Sequence, residues 1–311
     1  MNIRQIEYVL AVAEHRHFEL ASEKCFISQS TLSTMISKYE EEIGIIIFDR
    51  KKKPVETTSE GQLIIQQMKI IQKQLDELEE LQMEIKGETR GEISISVIPT
   101  IAPFLLPMFL QNFAYKFPEL KITVKEQTTE EIIRKIKIRE LDIGIISIPV
   151  KEKEIIEIKL YDEPFVLFDL GIKGSKIVNP KKIDFSNMWL MEEGHCMRTQ
   201  VAEICDLNKK NKKNQSNLDF KAGSIDSLLR FVKSNQAKTL LPYLAIQNFS
   251  EKEKIHVHNF ESPVPMREVG LVVHEHFAKK KVLNLVKQDI IENVSSLIPL
   301  TKQKGKAISP V

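Results

Sequence analysis

Glycine is scarce in this chain: 11 residues in 311. Phosphate-cradling loops have little material to draw on, and neither a P-loop nor a G-x-G-x-x-G motif occurs. G-x-S-x-G is absent as well. The three cysteines, Cys25, Cys196 and Cys205, are an odd set with no C-x-x-C pair, which does not read as a disulfide framework. The histidines lie outside H-E-x-x-H and finger spacings, so neither a metal nor another cofactor is expected. Apolar runs such as 43–48 and 143–148 fall far short of the roughly 20 residues that span a bilayer. The N-terminus shows no basic cluster followed by an apolar stretch. The expectation is a cytoplasmic chain without a membrane partner. Charge of one sign is also missing: 45 Lys and Arg face 43 Asp and Glu, a net +2 that argues neither for nor against a polyanionic partner.

What remains is an ordinary globular composition, 42% hydrophobic and 28% charged, long enough for about two domains. The first sixty residues read as short helices. Ile6, Val9, Leu10 and Ala13 share one helix face. A second helix starts near Phe18, with Ala21 and Cys25 one turn apart. Ser28 is a good N-cap for a third, whose apolar face carries Leu32, Ile36, Tyr39 and Ile43 and whose stop is Gly44. The other face shows Gln29, Ser30, Ser33, Thr34 and Ser37, suited to base edges and phosphates in a major groove. Periodicity alone leaves a generic helical bundle open. Residues 45–55 read as a strand, a basic tip of Arg50, Lys51, Lys52 and Lys53, and a second strand. That is either a β-wing reaching phosphates or a solvated loop. Residues 1–58 hold eight Lys and Arg against nine Asp and Glu, so DNA affinity must come from where the cations sit.

Thr57-x-x-Glu60 is a capping-box signature. Beyond it, Ile64, Met68, Ile71, Leu75, Leu78 and Ile85 keep a coiled-coil spacing that a second copy of the chain would cover. After a hinge at 87–91 the pattern changes. A strand at 93–97, a helix through Phe113, a strand at 122–124, a helix at about 130–139 and a strand at 141–146 make a parallel α/β unit. The pattern repeats after 161–168. Such folds hold ligands at the carboxyl ends of strands, here near Thr100 and Thr129. Both threonines equally suit helix caps.

The most informative run is Glu193-Gly194-His195-Cys196-Met197-Arg198. A thiolate is stabilised by nearby cations, and His195 and Arg198 are both close in sequence. Cys205 follows nine residues later. Across a helix that separation is about 13 Å of rise, against the roughly 4.4–6.8 Å between Cα atoms of a disulfide. If the two thiols pair, the segment must be remodelled. The alternative is two small buried thiols.

The N-terminal residues Phe18-x-x-Ala21, Ile27-Ser28-Gln29-x-Thr31-Leu32-Ser33, Glu40-x-x-x-Gly44 and Phe48-x-Arg50 resemble the winged helix-turn-helix of LysR-type transcriptional regulators. The resemblance continues through Leu141-Asp142-Ile143-Gly144-Ile145 and Leu240-Leu241-Pro242-x-x-Ala245. It becomes specific at Ile98-Pro99-Thr100-x-x-Pro103 and Gly194-His195-Cys196-x-Arg198 with Cys205, which look like the hydrogen-peroxide-sensing members of that family.

The resemblance implies an α/β protein in several parts. A winged helix-turn-helix DNA-binding domain spans 1–58 and a linker or dimerisation helix 59–86. A two-subdomain regulatory domain like periplasmic solute-binding proteins spans 87–300. Subdomain I takes about 87–161 and 268–300, and subdomain II about 162–267. The tail 301–311 reads as disordered. Gln29, Ser30, Thr31, Ser33, Arg50, Lys51, Lys52 and Lys53 would touch DNA. Cys196 would be the peroxidatic and Cys205 the resolving cysteine. Thr100, Thr129, His195, Arg198 and Arg267 would line the peroxide pocket. Implied partners are promoter DNA, further copies of the chain as a dimer or tetramer, RNA polymerase, hydrogen peroxide and a thiol reductant. The chain departs from the family at Ser30, where proline is common, at Ser234-Asn235-Gln236-Ala237, where glycines are common, at Met266, where an arginine is expected, and in a longer Lys/Asn-rich loop at 206–218. Not an enzyme but a switch is expected. Its rivals are a regulator with a small-molecule effector, a thiol peroxidase and a solute-binding protein.

Overall fold

The computed structural model describes residues 2–86, 89–174, 177–180, 183, 187–192, 196–204, 222–298 and 305–310. It divides into two units, Met1–Gln82 and Met83–Val311.

The first unit is a trihelical head with a wing. Helix α1 (Ile3–His15) is capped by Asn2, and α2 (Phe18–Lys24) follows a turn at Arg16. Helix α3 (Gln29–Ile43) starts at Ser28, whose hydroxyl accepts the amide of Thr31 at 3.1 Å, and stops at Gly44 with φ +68°, a conformation glycine adopts without strain. Ile6, Val9, Val12, Ala21, Leu32 and Ile36 close the core. The wing is shorter than the apolar run suggests. Only β1 (Phe48–Asp49) and β2 (Glu56–Thr57) pair, antiparallel, because Ile47 instead turns inward and is fully buried.

Helix α4 (Ser59–Ile85) starts one residue later than the capping-box reading places it. Thr57 lies in β2, and the Thr58 hydroxyl accepts the Gly61 amide at 2.9 Å. The seam also divides. Met68 is buried in the head's own core, with Ile64 and Ile71 packed against it, whereas Leu78 and Ile85 are exposed. Only the distal half of the stripe is therefore left for another copy.

The second unit is built on one curved sheet. Strands β3 (Gly91–Val97), β4 (Leu120–Glu126) and β5 (Ile143–Ile148) run parallel, linked by α5 (Ala102–Lys116) and α6 (Thr129–Lys137). Strand β6 (Ile155–Asp169) is long and crosses out of this first subdomain. Past it come β7 (Ile177–Val178), α7 (Cys196–Ile204), α8 (Ile225–Ser234), β8 (Lys238–Pro242), α9 (Glu251–Lys254) and β9 (Val257–Phe260). Strand β10 (Val264–His274) returns antiparallel to β6, and α10 (Lys280–Ser295) packs on α5.

Two apolar cores result. Along β6 the change from one to the other falls between Leu160 and Phe165, and along β10 between Met266 and Val269. At the turn after α8, where the resemblance leads one to expect glycine, Gln236 adopts φ +51°. The left-handed turn is thus kept without the residue that makes it cheap.

The expectation of a disordered tail at 301–311 needs correction. Residues 301–304 and 311 lie outside the described residues, but β11 (Gly305–Ala307) pairs parallel with 264–266 of β10. The apolar Ile308, 2% exposed, and Pro310 anchor the segment, and burying them outweighs the polar Lys302-Gln303-Lys304 run that makes the tail look solvated.

Candidate functional site

Two places gather the residues singled out by sequence. In the head, Gln29, Ser30 and Thr31 are exposed on the first turn of α3. Ser30, which replaces the common proline, is tied to the cap through a 2.9 Å hydroxyl contact with Ser28. Arg50 is less free than a pure phosphate contact. Its guanidinium donates to Glu40 at 2.7 Å and to Ser33 Oγ at 3.1 Å, and lies 5.1 Å from the centre of the Phe18 ring. Glu40 in turn accepts the amides of Ile47 (2.7 Å) and Phe48 (3.0 Å), so one carboxylate joins α3 to the wing. Sequence reading quotes Glu40 only as part of the family pattern and assigns it no role, because that role depends on the wing folding back. Lys51, Lys52 and Lys53 are exposed at the tip, Lys52 bridged to Glu56 at 2.6 Å.

The second place surrounds Cys196, the first residue of α7. The thiol is buried within the first core. Arg267 on β10, 1% exposed, bears on it by its charge. That guanidinium donates to Glu163 Oε2 (2.8 Å from Nε, 2.7 Å from a terminal nitrogen) and to both the hydroxyl and the carbonyl of Thr100 at 3.1 Å. Glu163, fully buried, also accepts the Leu244 amide at 2.8 Å. Thr129 begins α6, and Ser147 stands on β5 opposite Val269, which in turn faces Tyr161 across β10. The hydroxyls of Thr129 and Ser147 are buried and find no partner among the described residues besides the Cys196 thiol, and the buried Tyr161 hydroxyl finds none there. Unmatched hydroxyls in a dry core are costly, and a small polar guest is one way to satisfy them. A cavity of about 520 Å³ opens beside Thr129, with Ile133, Val150, Cys196, Thr199 and Pro310 also in its lining and charged residues such as Arg134 and Glu152 around it.

The electrostatics differ from the sequence reading. Burial pushes the Cys196 thiol above its ordinary value. Arg267 is the largest opposing influence, followed by the hydroxyls of Thr129 and Ser147 and the Met197 amide. Arg198, expected beside the thiol, donates instead to the Met191 carbonyl at 3.0 Å. His195 and Cys205 lie outside the described residues. Cys25 sits half-buried against the head core, its thiol also raised by burial.

Because the Cys196 thiol is raised, its protonated form is the one the fold favours. That preference is present at low pH and is lost as pH rises through the folded-state value. Alkylation of Cys196 by iodoacetamide is expected to accelerate about tenfold per pH unit from pH 7 to 9, as thiolate fraction grows below the pKa. A rate already level at pH 7 contradicts this.

Sequence reading misses Ser147 and Glu163. The only signal is a polar residue inside an apolar run, Ser147 in 143–148 and Glu163 before Pro164.

Comparison with known proteins gives consistent findings. The LysR substrate binding domain matches residues 86–289, and the lysR-family bacterial regulatory helix-turn-helix matches 3–62. The DNA-binding transcriptional dual regulator OxyR of Escherichia coli K12 is 31% identical over 276 residues, covering 88% of this chain and 89% of that protein. A hydrogen peroxide-inducible genes activator of Haemophilus influenzae is 28% identical over 96% of this chain and 99% of its own. Among solved structures, a full-length OxyR variant from Pseudomonas aeruginosa superposes with a TM-score of 0.70 at 26% identity, covering 94% of this chain and 98% of that one.

Proposed function

The chain belongs to the LysR family of bacterial transcriptional regulators, and on that premise we propose that it senses hydrogen peroxide at Cys196 and changes transcription through its winged head. The observation that carries this reading is the buried Cys196 thiol, on which the Arg267 charge and the hydroxyls of Thr129 and Ser147 converge beside a cavity that Thr129 also lines. A buried thiol with a cation and two hydroxyl donors around it suits a peroxide-sized guest.

The chemistry balances without a cofactor. The Cys196 thiolate attacks one peroxide oxygen, the O–O bond breaks, and hydroxide leaves as a sulfenic acid forms. The Arg267 guanidinium stabilises both the thiolate and the departing oxygen charge. The Cys205 thiol then displaces water from the sulfenic sulfur, giving a disulfide. Within α7 the eight steps from Cys196 to Ile204 rise about 12 Å, well beyond the roughly 4.4–6.8 Å of a disulfide. Closing the bond therefore requires α7 to unwind, and that rearrangement is the signal. A cellular thiol reductant resets the bond.

The head binds double-stranded promoter DNA in the cytoplasm, with α3 in the major groove and the wing tip on phosphates. The exposed distal stripe of α4 pairs with a second copy, and a tetramer and RNA polymerase complete the assembly. Replacing Lys51, Lys52 and Lys53 together by alanine is expected to flatten the slope of log affinity against log salt by about 2 to 3, at ~0.9 for each phosphate no longer neutralised. An unchanged slope places the tip away from the backbone.

The function is tested by transcription from a bound promoter in vitro. Peroxide switches output from the wild-type chain, and Cys196→Ser holds it at the reduced level. A peroxide response that survives Cys196→Ser favours the effector-binding reading instead.

A further inference from the structure

We propose that the carboxyl-terminal residues 305–310 form a strap that holds α7 folded over Cys196 and so sets how fast the thiol switch closes. The proposal rests on the reading of Cys196 as the sensing thiol.

The strap is fixed at three places. It pairs with the start of β10 along Gly305–Ala307, and the Ile308 amide extends the ladder by donating to the Met266 carbonyl at 2.8 Å. Met266 packs over Gly305 so closely that a Cβ there would meet its sulfur. The residue that stands in place of an expected arginine is thus part of the strap's seat. From that seat the strap reaches α7. Gln200, fully buried, donates from Nε2 to the Ile308 carbonyl at 3.0 Å. Lys306 lies 3.6 Å from Glu203 one turn further along, an exposed pair that adds little. Finally Pro310 reaches the cavity wall beside Thr129, Thr199 and Cys196.

The strap therefore bears on α7 at its middle and near its end, and shares a cavity wall with its first residue. Nine residues are too few to be helical alone, so α7 exists only through what it packs on. Met197 and Val201 fasten it to the second core, and Gln200 fastens it to the strap. Disulfide formation requires this helix to unwind. Gln200 loses its buried acceptor when that happens, unless the strap leaves with it. A strand of three exposed residues is among the first parts of a fold to open. Its opening is a cheap route to releasing α7.

The test compares full-length wild type with Ile308→Asp, which places a charge in the strap's apolar seat, and with Ile308→Val, which keeps it. Trypsin cleavage after Lys306 verifies that the aspartate variant releases the strap. In reduced protein, amide hydrogen exchange across 197–204 is expected to run about tenfold faster in Ile308→Asp, the factor a missing buried hydrogen bond is worth. Under saturating peroxide, the Cys196–Cys205 link is expected to form faster by a similar factor, with Ile308→Val matching wild type in both. Unchanged exchange in a chain whose strap is released overturns the proposal. Faster exchange with unchanged disulfide formation overturns its rate claim. A wild-type chain that forms no disulfide sinks the switch itself, and the rate claim with it, while exchange still decides whether the strap holds the helix.

Discussion

Glu163→Ala is expected to destabilise the regulatory unit by about 3–5 kcal/mol, the cost of leaving one partner of a buried ion pair alone. For a unit of this size that is roughly 6–20 °C in melting temperature. The argument is local. Arg267 and Glu163 are 1% and 0% exposed, so neither charge reaches water when its partner is removed. Arg267 would keep only the Thr100 hydroxyl and carbonyl, and Glu163 would no longer accept the Leu244 amide. The pair also sits where β6 and β10 pass between the two cores, so its loss loosens both subdomains at once. Replacing both residues, Glu163→Leu with Arg267→Met, is expected to recover much of the stability, because an apolar pair carries no desolvation cost. That double variant should still oxidise Cys196 slowly, since the cation that favours the thiolate is gone. Thermal melts of the full chain with an alkylation assay separate the two effects. A single-variant loss below about 1 kcal/mol, the scale of an exposed pair, contradicts the buried-pair account.

The second large effect belongs to the head. Glu40→Ala removes the acceptor of two buried amides, Ile47 and Phe48, and the carboxylate that holds Arg50. Each orphaned buried donor costs about 1–3 kcal/mol. In a unit of only Met1–Gln82, a loss of that size lowers the melting temperature by about 4–8 °C per kcal/mol. DNA affinity is expected to fall with it, although Glu40 is buried while Gln29 and Thr31 are exposed. Glu40→Gln, which retains an oxygen acceptor, should lose less of both. Affinity lost by Glu40→Ala without any change in melting would assign Glu40 a direct role at the DNA and refute the structural one.

These particular residues also show what sequence makes legible. The three head helices are readable because their apolar positions recur every three or four residues and their ends carry Ser28 and Gly44, which act locally. The strands of the first subdomain are readable from alternation and from turn residues. What is missed depends on chain segments far apart. Ser147 looks like one more core position in an apolar strand, and only the fold brings its hydroxyl to the Cys196 thiol, in line with Val269 and Tyr161 across the sheet. Glu40 belongs to the family pattern, but its role appears only when the wing supplies its amides. Arg198 is near Cys196 in sequence, yet the helix turns it to Met191, and Arg267, from β10, is the cation that bears on the thiol. The strap at 305–310 gives no periodic signal of its own, since its partners are at 264–266 and on α7.

The central claim is that Cys196 is the peroxide-reactive thiol and Cys205 its partner. It is tested most directly by mass-spectrometric mapping of the three thiols in reduced full-length protein, before and after stoichiometric hydrogen peroxide. The account predicts a Cys196–Cys205 link that forms rapidly, leaves Cys25 free and is absent in Cys196→Ser. All three thiols still free after treatment would contradict it, and the cavity beside Thr129 would then be read as the seat of a different effector.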